Sequence, residues 1–366
     1  MVLQCGIVGL PNVGKSTLFN ALTQTMLAEA ANYPFCTISA NVGRVSVPDE
    51  RLEKLAKIAK SQEVVKTQID FVDIAGLVRG ASRGEGLGNQ FLSNIREVDC
   101  ILNVVCCFDD ENVTHVEGDV NPTRDIELIQ TELILADIES LEKRLQNAEK
   151  KIKSGDKSTI IQMELMKRVL ETLNGGKMAV VTNITKDEEK AFKMLQLLTG
   201  KKQFFVCNVG ENEVNDGNTY TREVEEYRRK NGYIRTIIKA KDESEIAMLD
   251  TEVEKLEFLK TLGLGEKGLD KIIKIAYSLL NLISFFTVGP KEAHSWTVVA
   301  GSYAPQAAGT IHTDFEKGFI RAETISYADY LQYNGEEGCR SAGKLRLEGK
   351  DYIVSDGDIF HFRFNV

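Results

Sequence analysis

Gly9-Leu10-Pro11-Asn12-Val13-Gly14-Lys15-Ser16-Thr17 is the stretch that decides the fold. It fits Gly-x-x-x-x-Gly-Lys-[Ser/Thr], the phosphate-binding loop of nucleoside triphosphatases. Its context agrees in order. The apolar run Cys5 to Val8 predicts a buried strand before the loop, and Leu18, Phe19, Ala21 and Leu22 predict a helical apolar face after it. Glycines let backbone N–H groups crowd around phosphate oxygens, and the helix N-terminus adds positive potential. Asn12, Val13, Gly14, Lys15, Ser16 and Thr17 are therefore the expected phosphate-side contacts. Lys15 is expected to reach the outer phosphates, and the Ser16 hydroxyl to hold Mg²⁺.

Outward from that loop, composition sets limits. The chain has 366 residues, enough for two or three domains, and is 43% apolar and 27% charged, as ordinary globular proteins are. A net charge of −9 argues against a protein that coats nucleic acid, though a local basic patch is allowed. No apolar run is long enough to span a bilayer. The N-terminal apolar segment leads straight into the phosphate loop without a charged leader or cleavage site, so a cytosolic chain is expected. Seven cysteines show no Cys-x-x-Cys pair and no metal-ligand spacing. Cys100, Cys106, Cys107 and Cys207 lie in apolar runs and read as small core residues, whereas Cys36 falls in a loop.

The second signal is Gln68 to Gly76. A strand-like run through Ile69, Asp70, Phe71 and Val72 ends in Asp73-Ile74-Ala75-Gly76. An Asp at the end of an apolar strand is where a P-loop enzyme holds Mg²⁺ through water, and the Gly76 amide is then placed to read the γ-phosphate. Thr37, in Asn32-Tyr33-Pro34-Phe35-Cys36-Thr37-Ile38, is the candidate for completing the metal's coordination; a plain β-turn threonine is its alternative. Many GTPases carry a water-orienting Gln after this Gly, but here the position is Leu77, which has neither donor nor acceptor. Another group orients the water, or a partner accelerates slow hydrolysis. The following loop is rich in glycine, and Arg79 and Arg83 on it read as solvated charges or phosphate contacts.

A base-reading motif is expected at the end of a later strand. Two apolar runs end in Asn: Met178 to Asn183 and Phe204 to Asn208. The first runs into Thr185-Lys-Asp-Glu188, a capping box that opens a helix. The second is aromatic and β-branched, reads as a core strand, and makes Asn208 the choice. Neither run supplies the guanine-binding Asp of Asn-Lys-x-Asp, which points to ATP over GTP, because buried polar mismatches discriminate strongly between bases.

At this point the chain resembles the YchF / Obg-like ATPase family. The matching stretches are 9–20, Asn-Tyr-Pro-Phe-Cys-Thr-Ile (32–38), Asp-Ile-Ala-Gly-Leu-Val-Arg-Gly-Ala-Ser (73–82), Asn-Ile-Arg-Glu-Val-Asp (94–99), Asn-Val-Gly-Glu (208–211), 304–324 and Asp-Tyr-Ile-Val-Ser-Asp-Gly-Asp (351–358). The resemblance covers nearly the whole chain and implies ATP binding and hydrolysis, a helical insertion, a C-terminal TGS domain of ubiquitin-like β-grasp fold, and association with ribosomes. It maps Asn208, Val209 and Glu211 onto the family's Asn-x-x-Glu, and His115 onto a histidine that takes over water positioning. Taken alone, a loop histidine such as His115 is more often an ordinary surface residue. One departure stands out: Lys239 precedes Ala240 in the last base-side loop, where the family has Ser or Cys.

The expected architecture is an α/β P-loop NTPase domain, mostly parallel sheet with flanking helices, over residues 1–125 and 200–281. A helical coiled-coil insertion over 126–199 interrupts it, and a TGS domain spans 282–366. In the insertion, Ile134, Ile138, Leu141, Leu145, Ala148 and Ile152 form an apolar seam, and lysines crowd its tip. The C-terminal segment has eight Lys/Arg against eleven Asp/Glu, so any RNA contact there must be local. The expected partners are ATP with Mg²⁺ and the ribosome, large subunit or whole, with its RNA. DNA and membranes are not expected, and the chain is expected to be a monomer. Two other readings stay open: a GTP-dependent ribosome-associated or assembly factor, and a nucleotide-gated protein-binding module.

Overall fold

The computed structural model describes residues 3–30, 41–74, 87–110, 115–153, 158–211 and 213–365. From the N-terminus run β1 (Gln4–Val8), α1 (Lys15–Ala30), β2 (Val42–Ser46), α2 (Glu50–Ala59), β3 (Glu63–Val65), β4 (Gln68–Asp73), α3 (Leu87–Glu97) and β5 (Cys100–Cys107). Next come α4 (Pro122–Lys153), α5 (Ser158–Asn174), α6 (Glu189–Met194), β6 (Lys202–Val209), α7 (Thr219–Asn231), β7 (Ile234–Ile238), α8 (Ala240–Ala247), α9 (Glu252–Thr261) and α10 (Gly268–Leu279). The chain closes with β8 (Leu282–Val288), β9 (Glu292–Val299), α11 (Ala304–Ile311), α12 (Thr313–Lys317), β10 (Phe319–Ser326), α13 (Tyr327–Gln332), α14 (Glu336–Ser341), β11 (Arg346–Glu348) and β12 (Asp358–Phe364).

The first sheet has the order β2-β4-β1-β5-β6-β7. β4, β1, β5, β6 and β7 pair in parallel. Parallel strands need crossover connections and are covered on both faces, so their sequences read as continuous apolar runs. β5 is buried at every position, as is β6 after Lys202. Cys5, Cys100, Cys106, Cys107 and Cys207 are buried free thiols in this sheet, as their apolar surroundings predict. The chain continues from β1 to one side and later returns to β5 on the other, and the crevice beyond such a reversal is where open α/β sheets bind ligands. The phosphate loop leaves β1 at that point.

The helical segment belongs to the same compact unit as these strands, which comprises Leu3–Gly43 and Asp70–Ile272. Along α4, Ile134, Leu141, Leu145 and Ala148 are buried and Ile138 is half-buried. α4 and α5 pack on each other. The Asp137 carboxylate, fully buried, accepts from the N–H groups of Leu198 (3.2 Å) and Thr199 (2.8 Å) and from the Thr199 hydroxyl (2.6 Å). It fastens the return of the insertion to α4, although burial pushes its own carboxyl up from the usual range. The apolar run Met178–Asn183 is a 3₁₀ turn over Ala179–Val181, whereas Phe204–Asn208 lies within β6, where Asn208 is the penultimate residue.

The second unit joins residues 44–69 to the chain from Ile273 onward. Its sheet has the order β11-β10-β12-β8-β9-β3. Strand β3 pairs in parallel with β9, Glu63 opposite Glu292. Because side chains alternate along a strand, Phe285 and Phe286 of β8 face opposite cores. Phe285 packs with Ala304, Ala307, Ala308, Phe319 and Phe360. Phe286 packs with Leu52, Leu55 and Ala56 of α2, and with Ala293, Ile325 and Tyr330. The expected boundaries placed α2 and β3 with the nucleotide domain; instead the apolar face of α2 packs on the C-terminal sheet and β3 pairs at its edge. Arg51 secures the arrangement. Its Nη1 lies 2.7 Å from Asp356 Oδ2, its Nε lies 2.9 Å from Asp49 Oδ1, and its guanidinium sits 5.3 Å from the Phe286 ring centre.

Among the described residues, no helix is long and apolar enough to cross a membrane.

Candidate functional site

The loop between β1 and α1 is shaped by its backbone. Asn12 adopts φ 65° and Gly14 φ 93°, the left-handed region, after which the Leu18 N–H bonds the Gly14 carbonyl at 3.0 Å and the helix begins. A Cβ on Gly14 would lie 2.2 Å from Asn208 Nδ2, so only glycine fits. The amides at the start of α1 therefore face a cleft of about 920 Å³, a size suited to a nucleotide.

One side of that cleft is lined by Leu10, Pro11, Asn12, Gly14, Lys15, Ser16 and Thr17. The other side is Phe108, Asp110, Asn208, Val209, Gly210, Glu211, Lys239, Ala240 and Lys241. Of the residues expected to hold nucleotide, only Val13 is not on the wall. It is buried, and its carbonyl accepts from Asn208 Nδ2 at 3.0 Å. Asn208 Oδ1 accepts the Ala240 N–H at 2.9 Å. Asn208 thus clamps the phosphate loop to the opposite loop with one buried amide. Phe108, Asp110 and Lys241 were not singled out from the sequence. Phe108 and Asp110 follow the last buried residue of β5, and that position was the available signal.

Lys239 lines the cleft, but its ammonium is paired with Asp242 Oδ1 at 2.8 Å. The extra charge of this departure is therefore neutralised within α8.

Lys15 Nζ forms an ion pair with Asp73 at the end of β4. The pair joins the residue expected to hold phosphates to the one expected to hold Mg²⁺. Ser16 offers a hydroxyl at an exposed position of the first helical turn. A hydroxyl and a carboxylate are hard oxygen donors of the kind Mg²⁺ takes, with waters and phosphate oxygens completing the octahedron. No group of three or more His, Cys, Asp or Glu side chains that could hold a metal alone exists among the described residues. Thr37, Gly76 and Leu77, with Cys36, Arg79 and Arg83, lie outside the described residues.

The structure does not bring His115 to the cleft wall among the described residues. The ring is 9% exposed; Nε2 lies 2.9 Å from Asp125 Oδ2, and Nδ1 accepts the Glu117 N–H at 3.3 Å. With Nδ1 an acceptor, Nε2 carries the proton and donates to Asp125. Burial pushes the Asp125 carboxyl up from its usual range, opposed by His115 and Arg124.

With this geometry in view, comparison with known proteins is informative. A family model described as a 50S ribosome-binding GTPase matches residues 4–135. A second, YchF-GTPase_C, described as a protein of unknown function, matches residues 282–365. The chain is 52% identical over 366 residues to the ribosome-binding ATPase YchF of Pasteurella multocida, covering 100% of both chains. It is also 52% identical, over 368 residues and all of both chains, to the ribosome-binding ATPase YchF of Bacillus subtilis. The solved structure of the Schizosaccharomyces pombe YchF GTPase superposes with a TM-score of 0.90 at 39% identity, covering 99% of this chain and 97% of that one. Full-length similarity at this level has one reading: the chain belongs to the YchF family.

Proposed function

We propose that this chain is a ribosome-binding ATPase, a switch whose nucleotide state sets its affinity for the ribosome. The base-side wall carries the reading. Asn208 is occupied by Val13 and Ala240, Glu211 stands where guanine-binding proteins have Asp, and Lys239 is neutralised by Asp242. The Asp that reads guanine's two N–H groups is therefore missing from that position. The full-length relatives named ribosome-binding ATPases support the same conclusion.

Hydrolysis proceeds by in-line attack of water on the γ-phosphate. Lys15 and the amides of Asn12 to Thr17 bind and orient the phosphates, and Gly76 contributes its amide. Ser16, Thr37 and, through water, Asp73 would hold Mg²⁺, which would supply neutralisation of phosphate charge. With Leu77 unable to orient water, His115 takes that role. Asp125 fixes its tautomer, and Nδ1 exchanges its long bond to Glu117 for the attacking water. The strands from residue 282 onward form the β-grasp TGS domain, with β3 added at the edge of their sheet, and α4 with α5 forms the coiled-coil arm. The protein works in the cytoplasm as a monomer.

A GTP-dependent factor is the second reading, favoured by the carboxylate of Glu211 and by the S. pombe relative's description as a GTPase. Equilibrium competition of ATP and GTP against a fluorescent ATP analogue, with Mg²⁺, decides between them. ATP preference is expected; GTP preference overturns the proposal.

A further inference from the structure

Two residues outside every motif quoted above hold the base-side wall in place. Glu213 Oε2 accepts the Gly210 N–H at 3.1 Å and the Asn218 side-chain amide at 2.9 Å. The same Asn218 Nδ2 donates to the Cys107 carbonyl at 2.7 Å. Its Oδ1 accepts the Thr221 N–H at 2.9 Å, which caps α7.

Cys107 ends β5, immediately before Phe108 of the cleft wall, and Gly210 immediately precedes Glu211. One amide therefore fastens the C-terminal end of β5 and, through Glu213, the turn that follows β6. A loop without such a tie is free to move its backbone, and base discrimination needs donors and acceptors fixed in advance. The bond to Glu213 also occupies the Gly210 N–H, so this wall amide is already spent on the protein and not on the base.

We propose that Glu213 and Asn218 are positioning residues that set base selectivity without touching the nucleotide. They act by fixing Gly210–Glu211 and the end of β5 relative to each other. The inference rests on the reading of this cleft as the nucleotide site.

The test is binding of ATP, GTP and inorganic tripolyphosphate to the full-length protein and to Glu213→Ala, Glu213→Gln and Asn218→Asp. Asn218→Asp keeps the oxygen that caps α7 but loses the donor to Cys107 and Glu213. In Glu213→Ala and Asn218→Asp the ATP-to-GTP affinity ratio is expected to change by at least about fivefold, because a specificity ratio follows fixed contacts. Tripolyphosphate affinity should stay at the wild-type value, and Glu213→Gln, which retains an acceptor, should restore most of the ratio. An unchanged ratio in the folded variants overturns the proposal. So does a joint loss of ATP, GTP and tripolyphosphate binding, which marks a role in folding alone. The wild-type ratio separately tests the ATP assignment: a wild type that prefers GTP overturns that assignment, while the change on substitution still decides the role of Glu213 and Asn218.

Discussion

The side-chain amide of Asn208 is bonded to the carbonyl of Val13, 195 residues earlier, at 3.0 Å, inside the protein. This contact makes the phosphate loop and the base-side loop parts of one rigid frame. Replacing Asn208 with Ala strands the Val13 carbonyl and the Ala240 N–H together. Each orphaned buried group costs about 1–3 kcal/mol, so ATP affinity is expected to fall by at least about 10-fold. Titration with a fluorescent ATP analogue measures it. Affinity within twofold of wild type would show that the frame holds without the clamp.

His115 and Asp125 form a second buried polar contact. His115→Ala is expected to lower kcat by about 100-fold or more, the usual weight of a positioned acid–base group, with ATP affinity unchanged. Because the change leaves Asp125 with one partner fewer, stability should also drop, by about 1–3 kcal/mol. Single-turnover rates measured well below the melting temperature separate the effects. A wild-type rate removes His115 from the mechanism.

Acid stability should report on Glu225. Its carboxylate is hydrogen-bonded to Arg228, Arg235 and Arg229. The Arg228 contact first, opposed by desolvation and helped by Arg235 and Arg229, lowers its pKa from 4.5 to about 2. A depressed acid stabilises the fold above its unfolded value and loses that contribution as pH falls through the folded one. Glu225→Gln should therefore be less stable than wild type at neutral pH, by on the order of 1 kcal/mol for these solvent-screened pairs. The gap should close between about pH 4.5 and about pH 2. Urea denaturation across that range is the check, and a gap independent of pH would rule out the charge as its source.

Leu55 is fully buried in the core shared by α2 and the second sheet. Leu55→Ala is expected to destabilise that unit by about 2–5 kcal/mol. Hydrogen exchange should then speed up at the amides of β8 and β9. Unaltered exchange there would place the support for that face elsewhere.

The parts of the molecule legible in the sequence are those written in local pattern. Gly14 and Lys15 announce a phosphate loop because the backbone geometry and the chemistry lie within nine residues. Asp73 stands out because an acid closes an apolar strand, and Asn208 because the run before it is aromatic and β-branched. The destination of α2 was not readable. Leu52, Leu55 and Ala56 predict a helix with one apolar face, but periodicity does not say which sheet that face covers, and β3 finds its partner on a strand far along the chain. The pairing of His115 with Asp125, and the hub at Asn218, join loop residues to the first turn of a helix or to a strand end, and no sequence spacing rule marks such pairs.

The excursion of residues 44–69 has a consequence for modularity. Among the described residues, the chain passes between the two units at Gly43–Arg44, at Ile69–Asp70 and again at Ile272–Ile273. Neither unit is a contiguous cassette. A gene fragment encoding only the C-terminal stretch would lack an edge strand and leave Phe286 without the α2 side chains that cover it. Chimaeras between relatives must carry both segments together, and a single proteolytic nick near residue 272 leaves the units covalently joined through the earlier crossings.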